Sequence, residues 1–451
     1  MNKCLSLPVV LFLGAMPLFA QQGNYSSWQA YKTISINTTP SGADIATPQL
    51  HYPTLVRLGV ADSDVFISGK AGGADIRFAK LDGTPLQYQI DQWNATGRTA
   101  AIWVLLDTVK PNDTTTFKMY WGNAAAIDES NSGAVFDTAN GFAGVYHLTN
   151  FSDATNNGFN GTSDGTTDTA GVIGRAGLFD GVAGDSISIP GLMGKPAALT
   201  LSAWEQSTYF PPNGNPSGGD ILTIGDDAAM RADSASLLCF YYNGSLWNHL
   251  YGTDVFNQGW VYVSFTCDPS NSSQIAYVNG VVAGTDFLSD PIAYARGTNT
   301  YIGHHGNGQA TYNYGGLIDE PRVESVVRSA EWIKLNFFTQ EIGATVVKVG
   351  VTHPTSAVKS SYSERPDVAA FEAELMGQGI RFRVPANVNR GFITLLDLAG
   401  RRLATIPVGN CVREALWQDK LIPGAYVARL EIVEANGRAM KTVEQRVLYY
   451  P

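Results

Sequence analysis

The feature that most constrains this chain is a run of short, period-two stretches separated by glycine-bearing turns. Leu86-Gln87-Tyr88-Gln89-Ile90 alternates apolar and polar residues, as a strand with one buried face does. Asp82-Gly83 ahead of it supplies the tight turn that joins it to Ile76-Arg77-Phe78-Ala79 as a hairpin. Ala101 to Leu106 is almost continuously apolar and predicts a central strand, and Phe117 to Trp121 predicts another. Such text folds into sheets. With 47 Gly and only 16% charged residues among 451, a charged helical or coiled-coil chain is excluded, and the length accommodates about three domains.

Residues 1–20 place Lys3 ahead of the apolar run Leu7 to Met16, followed by Pro17 and Ala20. That order predicts a secretory signal peptide cut near Ala20, with Cys4 leaving in the peptide. The run is too short to span a bilayer, and nothing later offers the ~18 uninterrupted apolar residues of a spanning helix. The mature chain is therefore expected to be secreted or attached to an outer surface, without a transmembrane helix. Three cysteines remain, Cys239, Cys267 and Cys411, an odd number that rules out a fold resting on a disulfide framework. Cys239 and Cys267 sit in strand-like text and are expected as buried thiols, pairing only if their strands are neighbours. The balance of 30 Lys+Arg against 40 Asp+Glu excludes a nucleic-acid partner held by phosphate charge.

The segment 21–135 runs through Trp28, Tyr31-Lys32, His51-Tyr52-Pro53-Thr54-Leu55-Val56, Gly73-Ala74-Asp75-Ile76-Arg77-Phe78, Ile90-Asp91-Gln92-Trp93-Asn94, Ile102-Trp103-Val104 and Tyr120-Trp121-Gly122-Asn123. In this it resembles an uncharacterised bacterial extracellular domain family. Some members of that family are fused to proton-channel subunits; this chain has no such helices, so that function does not carry over. Asp75 and Arg77 lie on one strand face, and Asp91 is expected to end another strand. The pair is expected to be a salt bridge that fixes register, with a polar site as the other reading.

The segment 136–348 opens with Gly144-Val145-Tyr146-His147-Leu148 and a turn-rich stretch dense in Asn and Asp. Then come Phe179-Asp180-Gly181, Ser202-Ala203-Trp204, Tyr301-Ile302-Gly303 and Gly316-Leu317-Ile318-Asp319-Glu320. These landmarks resemble the concanavalin A-like, laminin-G-like jelly-roll family, which implies a two-sheet jelly roll. Pro321 departs from the family's hydrophobic residue after Asp-Glu and is expected to bend its strand. A short helix is expected after it, with Ser329 as N-cap, Glu331 in the first turn, and Trp332, Leu335 and Phe338 on one face. Residues 349–367, rich in Ser and Pro, read as a linker. Residues 368–451 alternate like a small sandwich and resemble the C-terminal, immunoglobulin-like sorting domains of Bacteroidetes and Fibrobacter-like bacteria, which implies engagement of the secretion machinery. The fold expected for the whole is all-β: multidomain β-sandwiches around a central concanavalin A-like jelly roll.

A jelly roll of this class is either a glycoside hydrolase or a lectin-like module. Hydrolysis needs two carboxylates facing one bond, supplied on a strand by alternate residues. Asp226-Asp227, Asp319-Glu320 and Glu372-x-Glu374 are the nearest pairs: adjacent strand residues point to opposite faces, and the last pair lies in the sorting-like segment. Nucleophile elbows, metal-binding His helices and phosphate loops are absent from the sequence. A non-catalytic carbohydrate-binding protein is therefore expected, with a polysaccharide-degrading enzyme or a protein-binding adhesin as the alternatives. Tyr242, Trp247, His249 and Tyr251 around the turn Asn243-Gly244, with His304, His305 and Tyr312 on a Gly-rich loop, are the candidate glycan contacts, because sugars stack C–H faces on aromatic rings and share hydroxyl hydrogen bonds. Taken singly, each also reads as packing, and the two histidines as solvated. The resemblance further implies a structural calcium, with Asp319 as a ligand and Asp153 and Asp180 as candidate contributors of oxygen.

Overall fold

The structure, a computed structural model, describes residues 23–181, 184–209, 218–288, 290–355, 371–376, 379–384, 390–397, 401–409, 414–417, 424–433 and 439–449. The expected signal peptide and Cys411 lie outside the described residues.

The first module comprises β1 (Ala30–Asn37), β2 (Gln49–Leu58), a short helix α1 (Ser63–Ser68), β3 (Arg77–Lys80), β4 (Pro85–Leu86), β5 (Tyr88–Asn94), β6 (Thr99–Val109), β7 (Thr114–Trp121) and one helical turn α2 (Ser132–Val135). The Asp82-Gly83 turn does join a hairpin: Phe78 pairs with Leu86 and Ala79 with Pro85, with Gly83 at φ 90°. The chain then crosses to a second sheet, ordered β2-β6-β5, where β6 is the central strand its apolar run predicts. Residues of both sheets, among them Ile34, Phe78, Phe117, Ile102 and Val104, share one buried core. The expected Asp75–Arg77 salt bridge is not formed. Asp75 is fully buried and accepts the backbone N–H groups of Lys70, Gly122 and Asn123, while Arg77 pairs with Glu129 at 2.8 Å. Asp91 sits inside β5 and does not end it.

The jelly roll follows with β8 (Phe142–Val145), β9 (Thr162–Asp164), β10 (Thr167–Ala170), β11 (Arg175–Asp180), β12 (Ser186–Pro190), β13 (Leu199–Tyr209), β14 (Gly218–Ile224), β15 (Ala228–Asp233), β16 (Leu237–Tyr242), β17 (Trp247–Tyr251), β18 (Val261–Asp268), β19 (Ser273–Val278), β20 (Val281–Asp286), β21 (Asn299–Ile302) and β22 (Gly315–Glu324). One sheet runs β10-β11-β22-β13-β18-β19-β20, with β8 also on β22; the other runs β17-β16-β15-β14-β21-β12-β9. Cys239 lies in β16 and Cys267 in β18, on different sheets, and both are buried free thiols. At Pro321 the β13–β22 register shifts and Glu320 takes a left-handed φ of 50°, the bend that proline predicts.

Helix α3 (Ala330–Gln340) begins as expected, the Ser329 hydroxyl accepting the Trp332 N–H at 3.1 Å. It is buried on two sides, not one. Trp332 meets Tyr52 of the first module edge-on at 4.9 Å, while Gln340 Oε1 accepts the Trp204 indole N–H and Asn336 donates to the Tyr262 hydroxyl of the jelly roll. Trp204, Tyr262, Trp332 and Leu335 therefore belong to the same core as the first module.

The linker expected from 349 begins instead as a strand. β23 (Val347–Pro354) pairs antiparallel with β1, giving the sheet order β23-β1-β7-β3-β4. Val347 and Val349 are half-buried and alternate with exposed Lys348 and Gly350, but Val351, His353 and Pro354 are exposed, so the strand's end runs without a break in the text into the polar residues that follow. A chain ending at 346 is expected to melt about 5 °C below one ending at 355, measured by circular dichroism, because β1 then keeps β7 but loses its other neighbour and becomes the edge of the sheet. Equal midpoints would show that β23 adds no stability.

Beyond it lie β24 (Glu372–Met376), β25 (Gly379–Arg383), β26 (Gly391–Asp397), β27 (Arg402–Val408), β28 (Glu414–Trp417), β29 (Gly424–Val433) and β30 (Ala439–Tyr449). They form sheets β24-β25-β28 and β27-β26-β29-β30 around Ile380, Phe382, Ile393, Leu395 and Leu430. The protein is all-β, built from several sheets with a jelly roll at its centre.

Candidate functional site

Alternation along β16 builds the site. Leu237, Cys239 and Tyr241 point into the jelly-roll core, which leaves Leu238, Phe240 and Tyr242 on the outer face of the second sheet. Cross-strand pairing sets Tyr251 beside Leu238, His249 beside Phe240 and Trp247 beside Tyr242. The four candidates from this hairpin thus share one face. Trp247 is 37% exposed, Tyr251 57%, and His249 is exposed, whereas Tyr242 is buried beneath Trp247 at 4.9 Å and donates its hydroxyl hydrogen to Gly244 O. His249 lies edge-on to Phe240 and to Tyr251 at 5.9 and 6.3 Å.

Two arginines brace the rings. Arg231 on β15 stands beside Leu238, with its guanidinium 3.3 Å over Tyr312 and 5.2 Å from the Phe240 ring. It is fixed by a two-point ion pair with the fully buried Asp220, at 2.6 and 3.2 Å. Arg296, exposed on the loop before β21, lies 4.7 Å over Tyr242 and 5.0 Å over Trp247. The turn between β14 and β15 connects both arms. Asp226 O accepts the Trp247 indole N–H at 2.9 Å, and the Asp226 carboxylate lies 3.9 Å from His305 Nδ1. Asp227 accepts the N–H groups of Ala295 and Arg296 and so positions the arginine.

His304 and His305 are buried, not solvated. The Gly-rich loop folds onto the sheet, so that His304 packs on Tyr301 at 5.3 Å and donates to His305 O, while His305 packs on Tyr312 at 5.3 Å and accepts the Asn307 N–H. The seven candidates therefore lie along the outer sheet face and its covering loop, from β17 to the loop after β21, with Trp247, His249 and Tyr251 the accessible ones. Burial, then the neighbouring Asp220, pushes the Asp226 carboxyl up to about 7. Burial, with the Arg231 charge nearby, lowers His249 and His305 from the ordinary histidine value. Arg231, Asp220, Asp226 and Arg296 were not legible as site residues. A lone arginine in an apolar strand gives no sequence signal until its partner strand is known.

The three aspartates assigned to calcium do not converge. Asp153 is spent on the N–H groups of Val145, Thr155 and Phe159 and the Thr155 hydroxyl. Asp319 is fully buried and accepts the Ile173 N–H, and Asp180 is exposed at the end of β11. Among the described residues, the group of His and carboxylate side chains close enough to share an ion contains none of the three. This donor set does not fit the oxygen cage calcium requires.

No helix among the described residues is long and apolar enough to cross a membrane. No curated protein matches the sequence. Among solved structures, domain 4 of AbnA, a GH43 extracellular arabinanase from Geobacillus stearothermophilus, in complex with arabinotriose, is 16% identical over 43% of this chain and 97% of its own, with a TM-score of 0.35. The CBM40 of the Ruminococcus gnavus IT-sialidase bound to α2,3-sialyllactose is 13% identical over 38% and 96%, with a TM-score of 0.28. The binding domain of Paraclostridial Mosquitocidal Protein 1 is 11% identical over 44% and 52%, with a TM-score of 0.38. Residues 72–169 match a domain of unknown function (DUF2341), and residues 180–334, which carry the site, match the concanavalin A-like lectin/glucanases superfamily: the chain carries a concanavalin A-like domain preceded by a DUF2341 domain.

Proposed function

We propose that the chain is an exported, non-catalytic carbohydrate-binding protein that takes polysaccharide on the outer face of its second jelly-roll sheet. The observation that carries this reading is the file of exposed Trp247, His249 and Tyr251 beside rings braced by Arg231 and Arg296. Flat apolar rings edged by fixed polar groups suit the C–H faces and hydroxyls of a sugar. Asp220 commits both oxygens to Arg231, and Asp227 commits its own to backbone N–H groups, which favours recognition over hydrolysis by paired carboxylates. The C-terminal module serves sorting to the surface.

Retention of the full chain on insoluble polysaccharides and glycan arrays tests the reading. Trp247→Ala and Tyr251→Ala are each expected to weaken retention about tenfold or more. Tyr251→Ala should do so without lowering the unfolding midpoint because its ring faces solvent, and Trp247→Ala with a small loss because its indole N–H is bonded to Asp226 O and its ring packs on Tyr242. Unchanged retention in both variants sinks the site, and reducing-sugar release from a retained polysaccharide assigns hydrolysis instead. A chain cut after Asp367 that is still exported and held at the surface would defeat the sorting role.

A further inference from the structure

A second cluster lies where the first module meets the jelly roll, away from the sheet face described above. Asp91 from β5, His147 just past β8 and Glu320 from β22 each bring one ligand atom within 4.8 Å of the others. Glu320 gets there through the left-handed bulge of β22, a backbone that a non-glycine residue adopts only at a cost. The His147 ring is fixed at both nitrogens. Nε2 lies 3.1 Å from Gln89 Oε1 and Nδ1 lies 2.6 Å from Glu320 Oε1. With the Nε2 proton donated to Gln89, the contact between Nδ1 and a carboxylate oxygen requires a positive centre, which in the metal-free chain is a second ring proton.

Two further buried oxygens make the same demand. Asp91 Oδ2 and Asp319 Oδ1 have no hydrogen-bond partner, and Asp319 is fully buried. Arg322 makes no hydrogen bond to either oxygen; it bonds Glu320 Oε2 at 2.7 Å and lies over the faces of Trp103 and Phe136, with its own Nε unpartnered. Trp103 and Phe136 also flank the imidazole and shield it from water. A histidine held by an amide oxygen at one nitrogen, with carboxylates at the other, has the outer-shell support of a metal ligand.

We propose that Asp91, His147 and Glu320 bind one divalent first-row metal ion of the zinc class, which joins the two modules. The imidazole donor and the small number of ligands argue against calcium, which takes six to eight oxygens. Since the ligands come from both modules, the ion stabilises their junction only when both are folded.

The untagged full chain, stripped with chelator, is titrated with Zn2+ and with Ca2+ by calorimetry and followed by thermal unfolding. One equivalent of Zn2+ is expected to bind and to raise the midpoint by about 5 °C, with no effect of Ca2+. Asp91→Asn is expected to lose that equivalent while the metal-free midpoint holds, because the oxygen it replaces has no bond to lose. His147→Gln should lose it as well. Zn2+ binding that persists unchanged in Asp91→Asn, or no binding and no shift in the parent chain, overturns the proposal and leaves a proton as the positive centre.

Discussion

Arg322→Ala is expected to cost the two joined modules about 3–5 kcal/mol, seen as a lower urea midpoint or as a chain that no longer folds. Arg322 is 2% exposed, bonds Glu320 at 2.7 Å and covers the Trp103 and Phe136 rings at 4.4 and 5.2 Å. Alanine leaves the fully buried Glu320 with only His147 opposite it and opens a cavity between the two rings. The charge and the volume can be separated. Arg322→Met with Glu320→Gln removes both charges and keeps the space filled, so it should recover most of the loss. An alanine variant within about 1 kcal/mol of the parent would show that the junction does not depend on this ion pair.

The same residues show how far the sequence could be read. Strand text was legible as alternation in Leu86 to Ile90, although β4 and β5 divide that stretch between two sheets, and as a continuous apolar run in Leu237 to Tyr242, which is buried at every position. The aromatic half of the candidate site was legible by alternation too: Trp247, His249 and Tyr251 sit at alternate positions of one strand. Its ionic half was not. Arg231 finds Asp220 eleven positions away across a hairpin, and His147 finds Glu320 at a separation of 173, so neither partner is visible in local text. Tertiary pairing also explains the misread segment. Val347–Pro354 is an edge strand whose alternation, half-buried Val347 and Val349 against exposed Lys348 and Gly350, stops at exposed Val351, so its second half was read with the polar stretch after it. The His304-His305 pair was misjudged in the opposite direction: a Gly-rich loop reads as exposed, but this one closes over the sheet.

Stability should fall as pH rises from about 4.5 to about 7, and Glu205→Gln should remove about 3 kcal/mol of that fall, measured by urea unfolding across the range. Glu205 on β13 is fully buried, and burial is the main cause that pushes its carboxyl up to about 7. Its Oε2 accepts the Tyr314 hydroxyl at 2.7 Å and the Ser207 N–H at 2.9 Å, while Oε1 has no partner. Between the two pH limits the folded chain keeps a proton that the unfolded chain has released. More protons bound in the folded state give a negative slope of stability with pH, so the contribution is complete below about 4.5 and gone above about 7. Glutamine keeps an oxygen toward Tyr314 and Ser207 but carries no titrating proton. The variant should therefore be flatter across the window and more stable than the parent at pH 8. Parallel curves for parent and variant would mean that Glu205 stays ionised in the folded protein, with Tyr314 and Ser207 holding its charge.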